Sequence, residues 1–356
     1  MTAVADRLAQ RIRIAGPISV ADYMEEVGAF YYAARDPLGG TGDFITAPEV
    51  SQIFGELIGL WCAELWQRLG APDPVLLVEL GPGRGTLMAD ALRAARIVPG
   101  FGQALRLHLV EHSPVLRAKQ GEVLGAHAPH WHDSTATLPP GPMLLVANEF
   151  LDALPIRQFE RRASGWHERR IGLDAGGARF VFMLEPTPSP LGTQLPRAPK
   201  GTIAELSPAT AALGRAVGAR LAREGGAALF IDYGYFPSAC GDTFQALRRH
   251  RTHAVLEEPG SADLTAHVDF AAFAAAARAG GAVVFGPVTQ AAFLARLGLT
   301  ARAAMLLRRA SAAQAASIRS ACRRLIDPAE MGDLFKVLAL GQKGAAMPSG
   351  FDEVVS

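Results

Sequence analysis

Cysteine is scarce. The three present, Cys62, Cys240 and Cys322, lie far apart in a chain of 356 residues. That spacing excludes a disulfide framework and a CxxC metal motif, and leaves three reduced, mostly buried thiols. An excess of charge of one sign is also missing: 35 Lys and Arg stand against 34 Asp and Glu, a net charge of +1. Such a balance excludes a dedicated nucleic-acid binder that works by counterion release. Lysine supplies only four of the basic residues, a bias of GC-rich bacterial genomes. No apolar run reaches the ~18 residues that span a bilayer. Residues 271–288 come nearest, and Arg278 and paired glycines interrupt them. The N-terminal stretch has no continuous apolar segment and carries Asp6, so no secretory signal is read there. These absences predict a cytoplasmic protein without membrane insertion and without nucleic acid as a partner.

Apolar residues, by contrast, make up 49% of the chain and charged ones 19%, enough to bury a sizeable core and to exclude wholesale disorder. Two helices broken at Gly16-Pro17 open the chain, and a Gly-rich stretch follows at 36–43. Thr46 caps and Pro48 starts a helix whose apolar positions, from Val50 to Leu65, recur every three or four residues. From residue 75 short apolar runs alternate with helices. Strands are expected at 75–80, 105–111, near Trp131, at 142–148 and at 227–233. That alternation predicts a mostly parallel sheet covered on both faces. Residues 156–200 alternate in polarity and then accumulate prolines, which predicts inserted antiparallel hairpins. The expected organisation is an N-terminal helical extension over 1–70, a core built from 71–155 and 201–356, and the β-rich insertion 156–200. Residues from Ala345 read as a loose tail.

The most informative stretch is Glu79-Leu80-Gly81-Pro82-Gly83-Arg84-Gly85-Thr86. Its glycines allow a tight strand-to-helix turn and a close backbone approach to a ligand. The Gly-Lys-Ser/Thr of a phosphate-binding loop is absent, and the pattern is not the dinucleotide G-x-G-x-x-G. It resembles motif I of class I S-adenosylmethionine-dependent methyltransferases. Their ligand carries an ammonium and a sulfonium and no phosphate, so an acid at Glu79 is useful there. Glu111, at the end of the second strand, can accept hydrogen bonds from both ribose hydroxyls. Asp133 and Ser134, at the third strand tip, would then sit by the adenine. Ligands of open α/β sheets bind beyond the carboxyl ends of the strands, so Asn148, Glu149 and Asp152 would face the transferable methyl. His127, His130 and His132 flank a short strand rather than converge tetrahedrally, and no metal is expected.

Gly42–Glu49, Glu79–Gly85, Asn148–Pro155, Asp232-Tyr233-Gly234 and Gly260–Phe270 together resemble the signature blocks of the MidA-like methyltransferases. The blocks run in the same order over nearly the whole chain; Ser261 departs from the charged residue often found in the family. The resemblance implies an α/β fold: a Rossmann-like class I methyltransferase sheet with helices on both faces, using S-adenosyl-L-methionine. For the family's mitochondrial member it implies symmetric dimethylation of an arginine in a respiratory complex I subunit, hence a protein substrate. A guanidinium stays protonated in water, and carboxylates grip it bidentately. Glu149 and Asp152 are the expected clamp, Asn148 places their loop, and His267 is a candidate proton acceptor. Asp43 and Thr46 would belong to a loop closing over the cofactor. A small-molecule acceptor, another protein side chain, or an assembly factor that binds the cofactor without turnover remain open, as do monomer and homodimer.

Overall fold

The computed structural model describes residues 2–34 and 45–351. Among the described residues the main sheet has eight strands: β1 (Val75–Leu80), β2 (Leu105–Val110), β3 (His130–His132), β4 (Met143–Asn148), β5 (Gly226–Tyr235), β6 (Val283–Thr289) and β7 (Phe335–Gly341), with the two-residue Val268–Asp269 paired to the end of β5. Their order is β3-β2-β1-β4-β5-β7-β6. From β3 to β5 all neighbours are parallel, while β7 runs antiparallel between β5 and β6. This is the doubly wound order 3-2-1-4-5-6 with one antiparallel strand slipped in before the last. The order reverses between β1 and β4, which opens a crevice above their carboxyl ends.

The central strands are apolar on both faces because helices cover both. Leu77, Val146, Leu229 and Ile231 meet the helices Gln52–Arg68 and Thr86–Ala95. The alternate residues Val78, Leu145 and Phe230 meet Pro208–Glu224 and Phe270–Ala279. Full burial of each such side chain stabilises the fold by about 1.5–3 kcal/mol before entropy is subtracted.

Several features differ from the sequence expectation. The helix expected to run from Pro48 through Leu65 is two: Ala47–Val50 and Gln52–Arg68. Ser51 breaks them with an extended backbone (φ −158°, ψ 132°) and caps the second, its Oγ accepting from Ile53 N at 3.3 Å. Strands β6 and β7 were not foreseen. The antiparallel insertion continues past residue 200, since Ile203–Leu206 pairs with Arg157–Arg162. The N-terminal segment joins it as well, through Ile18–Ser19 against Gly165–Leu173. The tail is docked as far as Phe351: Trp61 Nε1 donates to Ser349 O at 3.0 Å, and Phe351 packs on Phe293. Among the described residues no helix is long and apolar enough to cross a membrane.

Candidate functional site

Beyond β1 the chain turns through Gly81, Gly83 and Gly85, with φ of 61°, 55° and 82°. Side chains other than glycine's adopt these angles at a cost. A Cβ on Gly81 would lie 2.9 Å from Phe150 Cδ2, so the turn needs glycine for space as well as for angle. Two neighbours fix it. Fully buried Gln120, on the helix Pro114–Leu124, donates through Nε2 to Gly83 O at 2.7 Å and to Glu111 Oε2 at 3.3 Å. Its Oε1 accepts from Trp131 Nε1 at 2.8 Å. From the other side Thr86 Oγ1 donates to Glu49 Oε1 at 2.5 Å. Sequence reading passed over Gln120, because a glutamine on an apolar helix gives no signal until its partners are known.

Glu111 is buried at the end of β2, and its Oε1 accepts from Ser113 N at 2.8 Å. Glu79 is buried at the end of β1, and its Oε2 has no hydrogen-bond partner. Burial, with the charge of Glu111 behind it, pushes the Glu79 carboxyl up to about 8.

At the end of β4 stands Glu149, a non-glycine residue at φ 51°. Its amide donates to Ile231 O at 2.9 Å. Its Oε1 accepts from Ala47 N at 3.0 Å and from Asn148 Nδ2 at 3.2 Å. Burial pushes its carboxyl up to about 7, with smaller pulls downward from the Ala47 amide and upward from Asp152. Asn148 Oδ1 and Asp152 Oδ1 are buried without a partner. Asp152 Oδ2 accepts from Tyr233 Oη at 2.6 Å. The loop is shaped by Asp232, at the end of β5 and fully buried. Its Oδ2 accepts from the amides of Phe150, Leu151 and Asp152 at 3.0, 2.8 and 3.2 Å. Burial raises the carboxyls of both Asp152 and Asp232.

His267 reaches the same place from the segment 263–269. Ala266 N donates to Asp152 O at 3.0 Å, and the His267 ring meets Tyr233 edge to face at 5.4 Å. Thr46 precedes the helix Ala47–Val50 without capping it through its side chain. Asp43 lies outside the described residues. Asp133 and Ser134 are exposed on the outer rim; Asp133 pairs with Arg117 at 2.6 Å. The histidines near β3 bond each other instead of a ligand set, His108 Nδ1 lying 2.9 Å from His132 Nε2. Among the described residues no group of three or more His, Cys, Asp or Glu could hold a metal. The sequence-predicted residues Glu79, Gly81, Gly83, Gly85, Glu111, Asn148, Glu149 and Asp152 therefore share one crevice. Asp133 and Ser134 stand at its edge, and Asp232 and Tyr233, singled out in the sequence only within a signature block, join it.

A parallel sheet reversing between β1 and β4, with a phosphate-free glycine turn and buried acids at that reversal, defines a class I methyltransferase. A family model of S-adenosyl-L-methionine-dependent methyltransferases matches residues 57–288, and the chain belongs to that family. It is similar to the mitochondrial protein arginine methyltransferase NDUFAF7 of Danio rerio, 36% identical over 99% of this chain and 92% of that protein. The Drosophila melanogaster homolog is 39% identical over 95% of this chain and 84% of its own length. A Burkholderia thailandensis structure bound to S-adenosyl-homocysteine superposes with a TM-score of 0.85 at 32% identity, covering 98% of this chain and 93% of that one.

Proposed function

We propose that this methyltransferase acts on an arginine guanidinium of a protein. The observation that carries the reading is an excess of buried acid. Glu79, Glu149 and Asp152 lie at and just beyond the carboxyl ends of the neighbouring strands β1 and β4, Glu79 Oε2 and Asp152 Oδ1 have no hydrogen-bond partner, and among the described residues none of the three forms a salt bridge. Burying carboxylates without a counter-charge is costly. A cationic cofactor and a cationic acceptor would relieve that cost.

The residues fit S-adenosyl-L-methionine. Glu79 Oε2 is buried without a partner at the glycine turn, and Asn148 Oδ1 and Asp152 Oδ1 are likewise buried and unpartnered at the end of β4. Gly81, Gly83 and Gly85 would hold its amino-acid end with Glu79 nearby, and Glu111 its ribose. Asp133 and Ser134 would border the adenine, and Thr46 and Asn148 would line the cofactor's side of the cleft. When bound, the cofactor supplies a methyl group already activated on a sulfonium. The protein's task is then positioning and electrostatics. Glu149 and Asp152 grip the guanidinium and hold its charge away from the attacking nitrogen. Asn148 fixes Glu149. His267, kept neutral by burial, is the proposed acceptor of the proton released.

By resemblance to the mitochondrial family member, the acceptor protein is a respiratory complex I subunit or its bacterial counterpart. Three free cysteines support a reducing cytoplasm. The test is Glu149→Gln with tritiated S-adenosylmethionine and total cell protein of the source. The wild type should label a band on arginine. The variant should lose about 100-fold or more in rate, as when one preorganised group is removed, while still binding S-adenosylhomocysteine. Full activity in the variant would overturn the clamp.

A further inference from the structure

Residues 270–326 hold eight arginines and no Asp, Glu or Lys. The whole chain has a net charge of +1, so the remainder is net acidic and this segment stands out as a basic island. Six of the eight lie in a hairpin of two packed helices, Leu299–Leu307 and Ala312–Ile326. Arg302 is spent internally, on Glu56 at 2.7 Å. Arg308, Arg309, Arg319 and Arg323 are exposed, and among the described residues none of them has an acidic partner. Arg319 and Arg323, four apart, share one helix face. Met305, 58% exposed, adds an apolar contact on the same hairpin.

The place of this hairpin gives the charge a direction. The helix Ala312–Ile326 packs on Ala47–Val50, whose first amide holds Glu149. Arg324, next to Arg323, lies close enough to pull the Glu149 carboxyl back towards ionisation. The helix that carries Arg319 and Arg323 on its exposed side therefore also packs on the element that holds the candidate acceptor loop. A second copy meeting it hairpin to hairpin would bring the same charge and be repelled.

We propose that the outer face of this hairpin docks an acidic segment of the substrate polypeptide, next to the residue delivered to Glu149 and Asp152. This rests on the protein-acceptor reading above. It adds a recognition element outside the crevice: exposed guanidiniums that select carboxylate-rich sequence, steer it by charge and leave the buried acids to the cationic target.

The test uses the full chain and two fluorescein-labelled peptides of equal length, one with an arginine flanked by a run of glutamates and one with glutamines in their place. Anisotropy at low salt should show the glutamate peptide bound about tenfold more tightly, a gap that closes at high salt as exposed charges are screened. Arg319→Glu with Arg323→Glu should erase most of the gap; Arg308→Glu with Arg309→Glu is the second variant. Calorimetry with S-adenosylhomocysteine, unchanged in both, shows that they fold. Equal affinity for the two peptides, or a glutamate preference untouched by both variants, overturns the docking face. A single-stranded RNA of matching charge that binds more tightly than the glutamate peptide overturns it too, in favour of nucleic acid. Because this readout needs no turnover, absence of arginine methylation would remove the acceptor assignment while leaving a glutamate preference standing.

Discussion

Glu111 shows how a single carboxylate is prepared before any ligand arrives. One oxygen is held by the Ser113 amide and the other by Gln120, so its rotamer is fixed while lone pairs stay open. Charge-assisted hydrogen bonds of this kind contribute roughly 1.5–3 kcal/mol. Glu111→Ala should therefore weaken S-adenosylhomocysteine about 10- to 150-fold in calorimetry, and affinity within twofold of wild type would count against a ribose contact. The value of such a residue was readable from sequence, because strand ends in a doubly wound sheet are fixed positions. Gln120 was not readable: its three partners, Gly83, Glu111 and Trp131, come from the ends of β1 and β2 and from β3, and only the fold brings them to one side chain. Asp232 was singled out as part of a signature block, but its hold on the amides of residues 150–152 is visible only in the fold.

At the scale of elements, the loop after β4 is held from the neighbouring strand rather than by its own residues. Asp232 gathers three successive amides, and Glu149 sits at a positive φ that costs about 1–3 kcal/mol unless its surroundings impose it. Removing Asp232 would leave three buried donors unmet, each costing about 1–3 kcal/mol. Asp232→Ala should lower the melting temperature and drop kcat much more than it weakens cofactor binding. If the methyl-transfer rate survives intact, the loop does not depend on this anchor.

The parallel core was legible because β1, β4 and β5 are nearly continuous apolar runs, and β2 carries a leucine at every other position, all of them set between helices. Strands β6 and β7 were not. Gly286-Pro287 interrupts β6, which lies at the sheet edge where proline is tolerated. The run Phe335–Gly341 forms β7 without a turn signal to announce it. The insertion's true extent was hidden because Ile203–Leu206 lies beyond the prolines that seemed to end it.

For the whole molecule, the buried acids set a pH dependence. Glu79 at about 8 and Glu149 at about 7 hold their protons more tightly folded than unfolded. The stability they contribute is complete below the ordinary carboxylate range near 4.5 and is lost as pH rises through these values. His108, pushed down to about 4 by burial, acts in the opposite sense, but only below its ordinary 6.5. Between roughly pH 6.5 and 8.5 the acids act alone, so the ligand-free melting temperature should fall across that window. S-adenosylmethionine should recover the loss, and its binding near pH 7 should release a proton, visible as a buffer-dependent heat in calorimetry. A flat melting profile with no buffer dependence would show that these acids are already ionised without a cation.

The position of β7 bears on how the chain is made. This strand lies between β5 and β6 in the sheet but follows both in the chain, and β6 has no place in the sheet until β7 arrives. A nascent chain halted before residue 335 therefore presents β5 with an open edge beside an otherwise finished parallel layer. Such an edge is an invitation to pair with a neighbouring nascent chain. Slow translation of residues 335–341, or stalling just before them, is thus a moment at which this protein needs a chaperone.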